Sequence, residues 1–216
     1  MPGMAFFSGA LYRSVGEHMN IQGRISEILS AEAAAIAAVR VTPAFEQAVL
    51  TLRDSTGKVL TTGMGKAGQV ARKFASTLCS TGTPAYYLHP GEAAHGDLGI
   101  VEADDCVVAF STSGKTQEVI DMLGRGRSLG IGTIISITSH PESELRELSD
   151  IVVDMGVITE PCAHGLTPSA SIAVMLAISD ALALTLMDLK RFSRAEFGRR
   201  HHGGYLGVRS RTDNEE

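Results

Sequence analysis

The run Cys106-Val107-Val108-Ala109-Phe110-Ser111-Thr112-Ser113-Gly114-Lys115-Thr116 passes from five apolar residues directly into four hydroxyls, a glycine and a cation, and a helical pattern follows. That order predicts a strand over 107–110, a polar turn, and a helix over roughly 116–129. A helix N-terminus offers unpaired N–H groups and a partial positive charge, and the hydroxyls add donors, so the junction suits an anion such as phosphate. The same residues also read as a serine/threonine helix cap with no ligand. Gly114-Lys115-Thr116 matches the end of the G-x-x-x-x-G-K-[ST] pattern, but Ala109 stands where the first glycine is needed, inside the strand. The long cradle of a triphosphate site is therefore excluded, and the short turn fits a monophosphate.

Outward from this junction the chain alternates. Val59-Leu60-Thr61-Thr62, Ala85-Tyr86-Tyr87-Leu88, Thr133-Ile134-Ile135-Ser136-Ile137 and Ile151-Val152-Val153 read as further strands, with helices over 67–80 and 141–148 between them. A helical segment over about 20–54, broken at Pro43, precedes them. The stretch 170–187 reads as a buried globular helix, because Ser179 and Asp180 interrupt its apolar run. Five strands interleaved with helices imply an α/β fold: a three-layer, doubly wound sandwich around a five-stranded parallel sheet. In such sheets ligands sit beyond the carboxyl ends of the strands. Gly63-Met64-Gly65-Lys66, His89-Pro90-Gly91-Glu92, the serine-rich turn and Glu160 each follow a predicted strand, which places one polar edge on the molecule.

The whole chain has 216 residues, 44% of them hydrophobic, which fits one domain over 1–216 with a proper core. A net charge of −5, four Tyr, seven Phe and no Trp argue against a nucleic-acid partner. No membrane span is expected, and no basic start with a long apolar run marks secretion. Cys79, Cys106 and Cys162 are odd in number and widely spaced, and they read as reduced core thiols of a cytoplasmic protein.

Several groups at the polar edge carry chemistry. Gly65 lets a ligand approach the backbone and Lys66 adds a point charge, although it also reads as a solvated lysine at a helix start. Glu92, His95 and Asp97 crowd one polar loop, where His95 is placed to move a proton or simply to hydrogen-bond. A metal held by His89, His95 and Asp97 fits no standard spacing, so neither metal nor cofactor is expected. Glu118 falls in the first turn of a helix, where an acid complements the dipole. Glu160, before Pro161 in an irregular loop with no upstream helix to cap, is the preferred general base. Arg199-Arg200-His201-His202 ends a short helix starting near Ser193, and spacing does not choose between the two histidines.

Taken together, Gly63-Met64-Gly65-Lys66-Ala67-Gly68, Ser80-Thr81-Gly82-Thr83-Pro84, the eleven residues His89-Pro90-Gly91-Glu92-Ala93-Ala94-His95-Gly96-Asp97-Leu98-Gly99, and Ser111-Thr112-Ser113-Gly114 resemble the sugar isomerase (SIS) domain. Within it they are similar to the D-arabinose 5-phosphate isomerases. The segments Gly165-Leu166-Thr167-Pro168-Ser169, Ser179-Asp180-Ala181-Leu182-Ala183 and His201-His202-Gly203-Gly204 extend the likeness over about 25–207. The resemblance implies flavodoxin-like strand order, cofactor-free aldose–ketose isomerisation of a sugar phosphate through an enediol, and a homotetramer. By position it puts functional roles on Lys66, Glu118, Glu160 and His201, and the phosphate on Ser111, Thr112, Ser113 and Thr116. Gly65 and His95 complete the expected substrate-contacting set. It also implies that His201 reaches a neighbouring subunit's cleft.

Three departures from the family pattern stand out. Members usually carry two regulatory CBS modules after this domain, and a form without them is expected here. Lys115 stands where Glu is common, and His202 where Pro is common. The alternatives are another phosphosugar isomerase, such as 6-phospho-3-hexuloisomerase, or a non-catalytic sugar-phosphate sensor.

Overall fold

The computed structural model describes residues 19–212; the ends of the expected 1–216 unit, residues 1–18 and 213–216, lie outside the described residues. In chain order the elements are α1 (Ile21–Ala37), α2 (Pro43–Asp54), β1 (Val59–Gly63), α3 (Gly65–Ser80), β2 (Ala85–Tyr87), α4 (Pro90–Ala93), a 3-10 turn (Asp97–Ile100), β3 (Cys106–Phe110) and α5 (Gln117–Leu129). They continue with β4 (Thr133–Thr138), α6 (Glu144–Leu148), β5 (Ile151–Asp154), α7 (Ala170–Leu189), α8 (Arg194–Arg200) and α9 (Gly204–Thr212). The five described strands form one parallel sheet in the order β2-β1-β3-β4-β5, the flavodoxin-like order expected. Val59 pairs with Ala85 on one side and Cys106 on the other, so β1 and β3 flank the point where strand order reverses.

Side-chain alternation splits the interior into two cores. Val108, Phe110, Ile135 and Ile137 pack with Leu52 of α2, Phe74 and Leu78 of α3, and Val174 and Met175 of α7. Leu60, Val107, Ala109 and Ile134 point the other way, toward Val119 and Leu123 of α5 and Leu145 of α6. Each fully buried Leu, Ile or Phe contributes roughly 2 kcal/mol of transfer free energy. Both faces of the sheet are therefore covered, which is why every residue of β1 and β3 is buried. Thr61 fits this interior because its hydroxyl donates to the Ala71 carbonyl of α3 at 2.8 Å.

The amino edge is sealed. Asp105, 1% exposed, accepts from the N–H of Lys58 at 3.0 Å and of Glu102 at 2.8 Å, and pairs with Lys58 Nζ at 2.8 Å. These bonds tie the start of β1 to the start of β3. Cys106, next in the chain, is the one cysteine that is a core thiol; Cys162 is half-buried and Cys79 is exposed, contrary to the expectation of three core thiols.

One stretch departs from the sequence reading. The run 89–99 contains α4 and the 3-10 turn where a loop was expected, since Pro90 takes a first helical position and His89 Nδ1 accepts from the Gly91 N–H at 3.1 Å. Helix α7 is long and apolar enough by length and composition to cross a membrane, yet half of its most apolar window lies inside the core. Asp180 on it pairs with Lys73 of α3, and the Ser179 hydroxyl donates to the Leu176 carbonyl at 2.7 Å. Its outer face leaves Leu176 and Leu184 exposed, beside an α1 that exposes Ile21, Ile25 and Leu29 at one-turn spacing.

Candidate functional site

Four strand ends build one cleft. After β1, the chain turns at Gly65, whose φ of +55° suits glycine, and enters α3 with Lys66 in the first turn. Gly68 lets that helix close on the strand: a Cβ there would lie 2.5 Å from the Gly63 carbonyl oxygen and 2.8 Å from the Tyr87 hydroxyl. After β3, the Ser111 hydroxyl lies 2.9 Å from that of Thr116 and accepts from the Gly114 N–H at 3.1 Å, while Ser113 Oγ accepts from the Lys115 N–H at 3.2 Å. Gly114 has φ +64°, and a Cβ there would collide with the Ser143 hydroxyl. Thr116 occupies the N-cap of α5 without making a side-chain cap bond, so the helix end is not closed off by its own threonine.

After β4, the N–H groups of Ser139 and His140 donate to the Thr112 carbonyl at 3.0 and 3.2 Å and brace the turn from behind. After β5, the loop over 155–169 brings Glu160 across from Lys66. The result is a cleft of about 600 Å³ lined by Lys66, Ser111, Thr112, Ser113, Thr116 and Glu160, together with Ser139, His140, Ile158, Leu166 and Ser171. Strand order reverses here, between β1 and β3, which is where open α/β sheets bind ligands.

Glu160 does not stand free of helices. Its carboxylate caps the downstream helix α7, with Oε2 accepting from the N–H groups of Ser169 at 2.8 Å and Ala170 at 2.9 Å, and Oε1 from that of Ser171 at 3.3 Å. Partial burial alone raises its pKa, but the contact with Ser171 and the bonds from Ser169 and Ala170 outweigh it and hold the carboxyl below the usual range. Nearby in the same loop, Cys162 Sγ accepts from the N–H groups of Thr167 and Leu166, each at 3.2 Å. Those two bonds, Thr167 first, bring its thiol down to about 6.

The other expected residues lie elsewhere. Glu118 is exposed in the first turn of α5 and faces a separate hollow of about 110 Å³ with Gly91, Ala93, Leu98, Asp121 and Arg125. His95 is exposed between α4 and the 3-10 turn, its N–H donating to the Glu92 carbonyl at 2.9 Å. His201 ends α8, its ring stacked on Phe197 at 3.8 Å and Nδ1 3.0 Å from the Phe197 carbonyl oxygen. Lys190 Nζ donates to Thr83 Oγ1 at 2.9 Å, so α7 ends beside the amino end of β2 and α8 departs from the pole opposite the cleft. Among the described residues, no three His, Cys, Asp or Glu side chains converge on a metal position, His89, His95 and Asp97 included. Sequence reasoning missed His140 and Ser171; His140 follows the carboxyl end of β4, the same signal that singled out the other strand ends.

The SIS domain family model matches residues 51–185. The arabinose 5-phosphate isomerase KdsD of Pseudomonas aeruginosa is 42% identical over 170 residues, 79% of this chain and 52% of its own length. The protein of the same name from Francisella tularensis is 40% identical over 166 residues, 76% of this chain and 50% of its own. The chain thus spans about half the length of the curated relatives it matches. Among solved structures, E. coli CFT073 c3406 in complex with A5P superposes with a TM-score of 0.81 at 38% identity, covering 86% of this chain and 99% of that one.

Proposed function

The chain belongs to the SIS domain family, and from that premise we propose that it is an isomerase interconverting D-arabinose 5-phosphate and D-ribulose 5-phosphate. The observation that carries this reading is the cleft itself, which joins the serine-rich turn, Lys66 and Glu160 across the switch point of the sheet. The likeness to relatives named for this reaction, at 42% and 40% identity, supports it over a hexulose isomerase or a sensor.

The phosphate rests on Ser111, Thr112, Ser113 and Thr116 at the N-terminus of α5, where hydroxyls and the helix dipole favour an anion. Lys115, exposed on the same turn, adds charge beside it. Anchoring that end holds the reacting carbons in register with Glu160. Glu160 removes the proton from the carbon next to the carbonyl, the carbon–hydrogen electrons form the enediolate double bond, and the proton returns to the neighbouring carbon. Lys66 offsets the negative charge that develops on oxygen. A histidine moves the oxygen-bound proton, and His201, remote from its own cleft, reaches that of a neighbouring copy in a homotetramer. Glu118 remains the second candidate carboxylate. The three cysteines, all unpaired, accord with a cytoplasmic enzyme.

The test is incubation of the metal-free protein with D-arabinose 5-phosphate in deuterated water, followed by NMR. Ribulose 5-phosphate formation with deuterium entering beside the carbonyl, abolished in Glu160→Gln and compared with Glu118→Gln, is the expected result. Binding without turnover or exchange would sink the assignment.

A further inference from the structure

Glu160 is held unevenly. Oε2 is committed to two short bonds from the first turn of α7, whereas Oε1 has one long bond, from the Ser171 N–H at 3.3 Å. Oε1 is therefore the oxygen with a lone pair available to accept a proton. Ser171 lines the same cleft, is 2% exposed, and carries one of three buried hydroxyls that have no hydrogen-bond partner among the described residues. Native folds rarely leave such a group unpaired without a use for it. The other two, Ser136 within β4 and Ser143 at the start of α6 against Gly114, are not on the helix that Glu160 caps.

We propose that Ser171 is a positioning residue for Glu160: with a small rotation its hydroxyl engages Oε1 and holds that oxygen toward the reacting carbon. A serine hydroxyl donates to the carboxylate before proton abstraction and accepts from the carboxylic acid after it, so one side chain serves both protonation states. The inference rests on the isomerase reading for its catalytic part.

The experiment compares wild type with Ser171→Ala and Ser171→Cys. The cysteine variant fills nearly the same volume but donates weakly, so it separates hydrogen bonding from packing. We measure kcat and KM for D-arabinose 5-phosphate, and titrate the Glu160 carboxyl by carbon-13 NMR in the free protein. Lys66 and His140 share the cleft with Glu160, Cys162 and His164 share its loop, and Arg24 of α1 donates to the Pro161 carbonyl; all stay in place in both variants. Loss of one such hydrogen bond in the transition state predicts a kcat about 10-fold lower in both variants, with KM within about twofold. The Glu160 carboxyl titrates at higher pH in both. A cysteine variant with wild-type kcat, or an unshifted titration in the folded variants, overturns the proposal. If wild type does not turn the sugar over, the isomerase reading fails, and the titration alone decides whether Ser171 engages Glu160.

Discussion

Cys106 and Cys162 carry the same thiol at opposite edges of one sheet, and the edges treat it in opposite ways. At the amino edge, burial first, then Asp150 and Asp105, push Cys106 up to about 12. In the loop at the carboxyl edge, backbone N–H groups bring Cys162 down to about 6. The neighbouring acids follow suit. Asp105 is fully enclosed, with an ammonium and two N–H groups on its two oxygens, while Glu160 faces a cleft with one oxygen loosely held. One edge neutralises its charge to close the sheet; the other lowers the pKa of a thiol and a carboxyl beside an open cleft. The difference teaches where stability and chemistry reside in this fold, and substitutions at each edge separate the two.

The largest effect is expected at the carboxyl edge. Glu160→Gln keeps an acceptor for the α7 N–H groups and removes the proposed base, so turnover should fall about 10³-fold in a protein that still folds. The same carboxyl has a pKa below its unfolded value, so its contribution to stability is fully present above the ordinary carboxylate range and is lost as pH falls from there through its lower folded-state value. Acid titration followed by circular dichroism should show that loss in wild type and a flatter response in the variant.

Next comes Asp105→Ala at the amino edge, which strands Lys58 and two N–H groups. A loss of about 3 kcal/mol in urea unfolding is expected, with kcat/KM of the folded fraction near wild type. A large kinetic defect there would break the division between the edges. Ser111→Ala, which removes from the proposed phosphate turn a buried hydroxyl together with its bonds to Thr116 and the Gly114 N–H, should raise KM roughly 10-fold with a smaller effect on kcat. The smallest effect sharpens the comparison of thiols: at pH 7 iodoacetamide should label Cys162 several-fold faster than a free thiol, while Cys106 reacts only on unfolding, as read by mass spectrometry.

The sheet was legible because parallel strands covered on both faces become largely apolar, β-branched-rich runs, as at Cys106–Phe110 and Thr133–Thr138. The serine-rich turn between β3 and α5 was legible because hydroxyls and glycine follow such a run directly. The cap on Glu160 was not, since the helix it serves begins ten residues later and nothing local signals that the loop folds back. His140 and Ser171 escaped for a related reason: each becomes part of the cleft only when separate elements converge. The distance of His201 from its own cleft could not be read from spacing, because it depends on α7 running the length of the sheet to Thr83.

Strand order also sets a timetable. β1 lies between β2 and β3, so it has both partners only after the chain has been made through β3, and the carboxylate that shares a cleft with the serine-rich turn is fixed only when α7 supplies its first N–H groups. Parallel pairings over such separations are slow to form. During synthesis the chain therefore completes the serine-rich turn after β3 well before it fixes the Glu160 carboxylate, and a nascent chain halted after β4 would hold the first without the second.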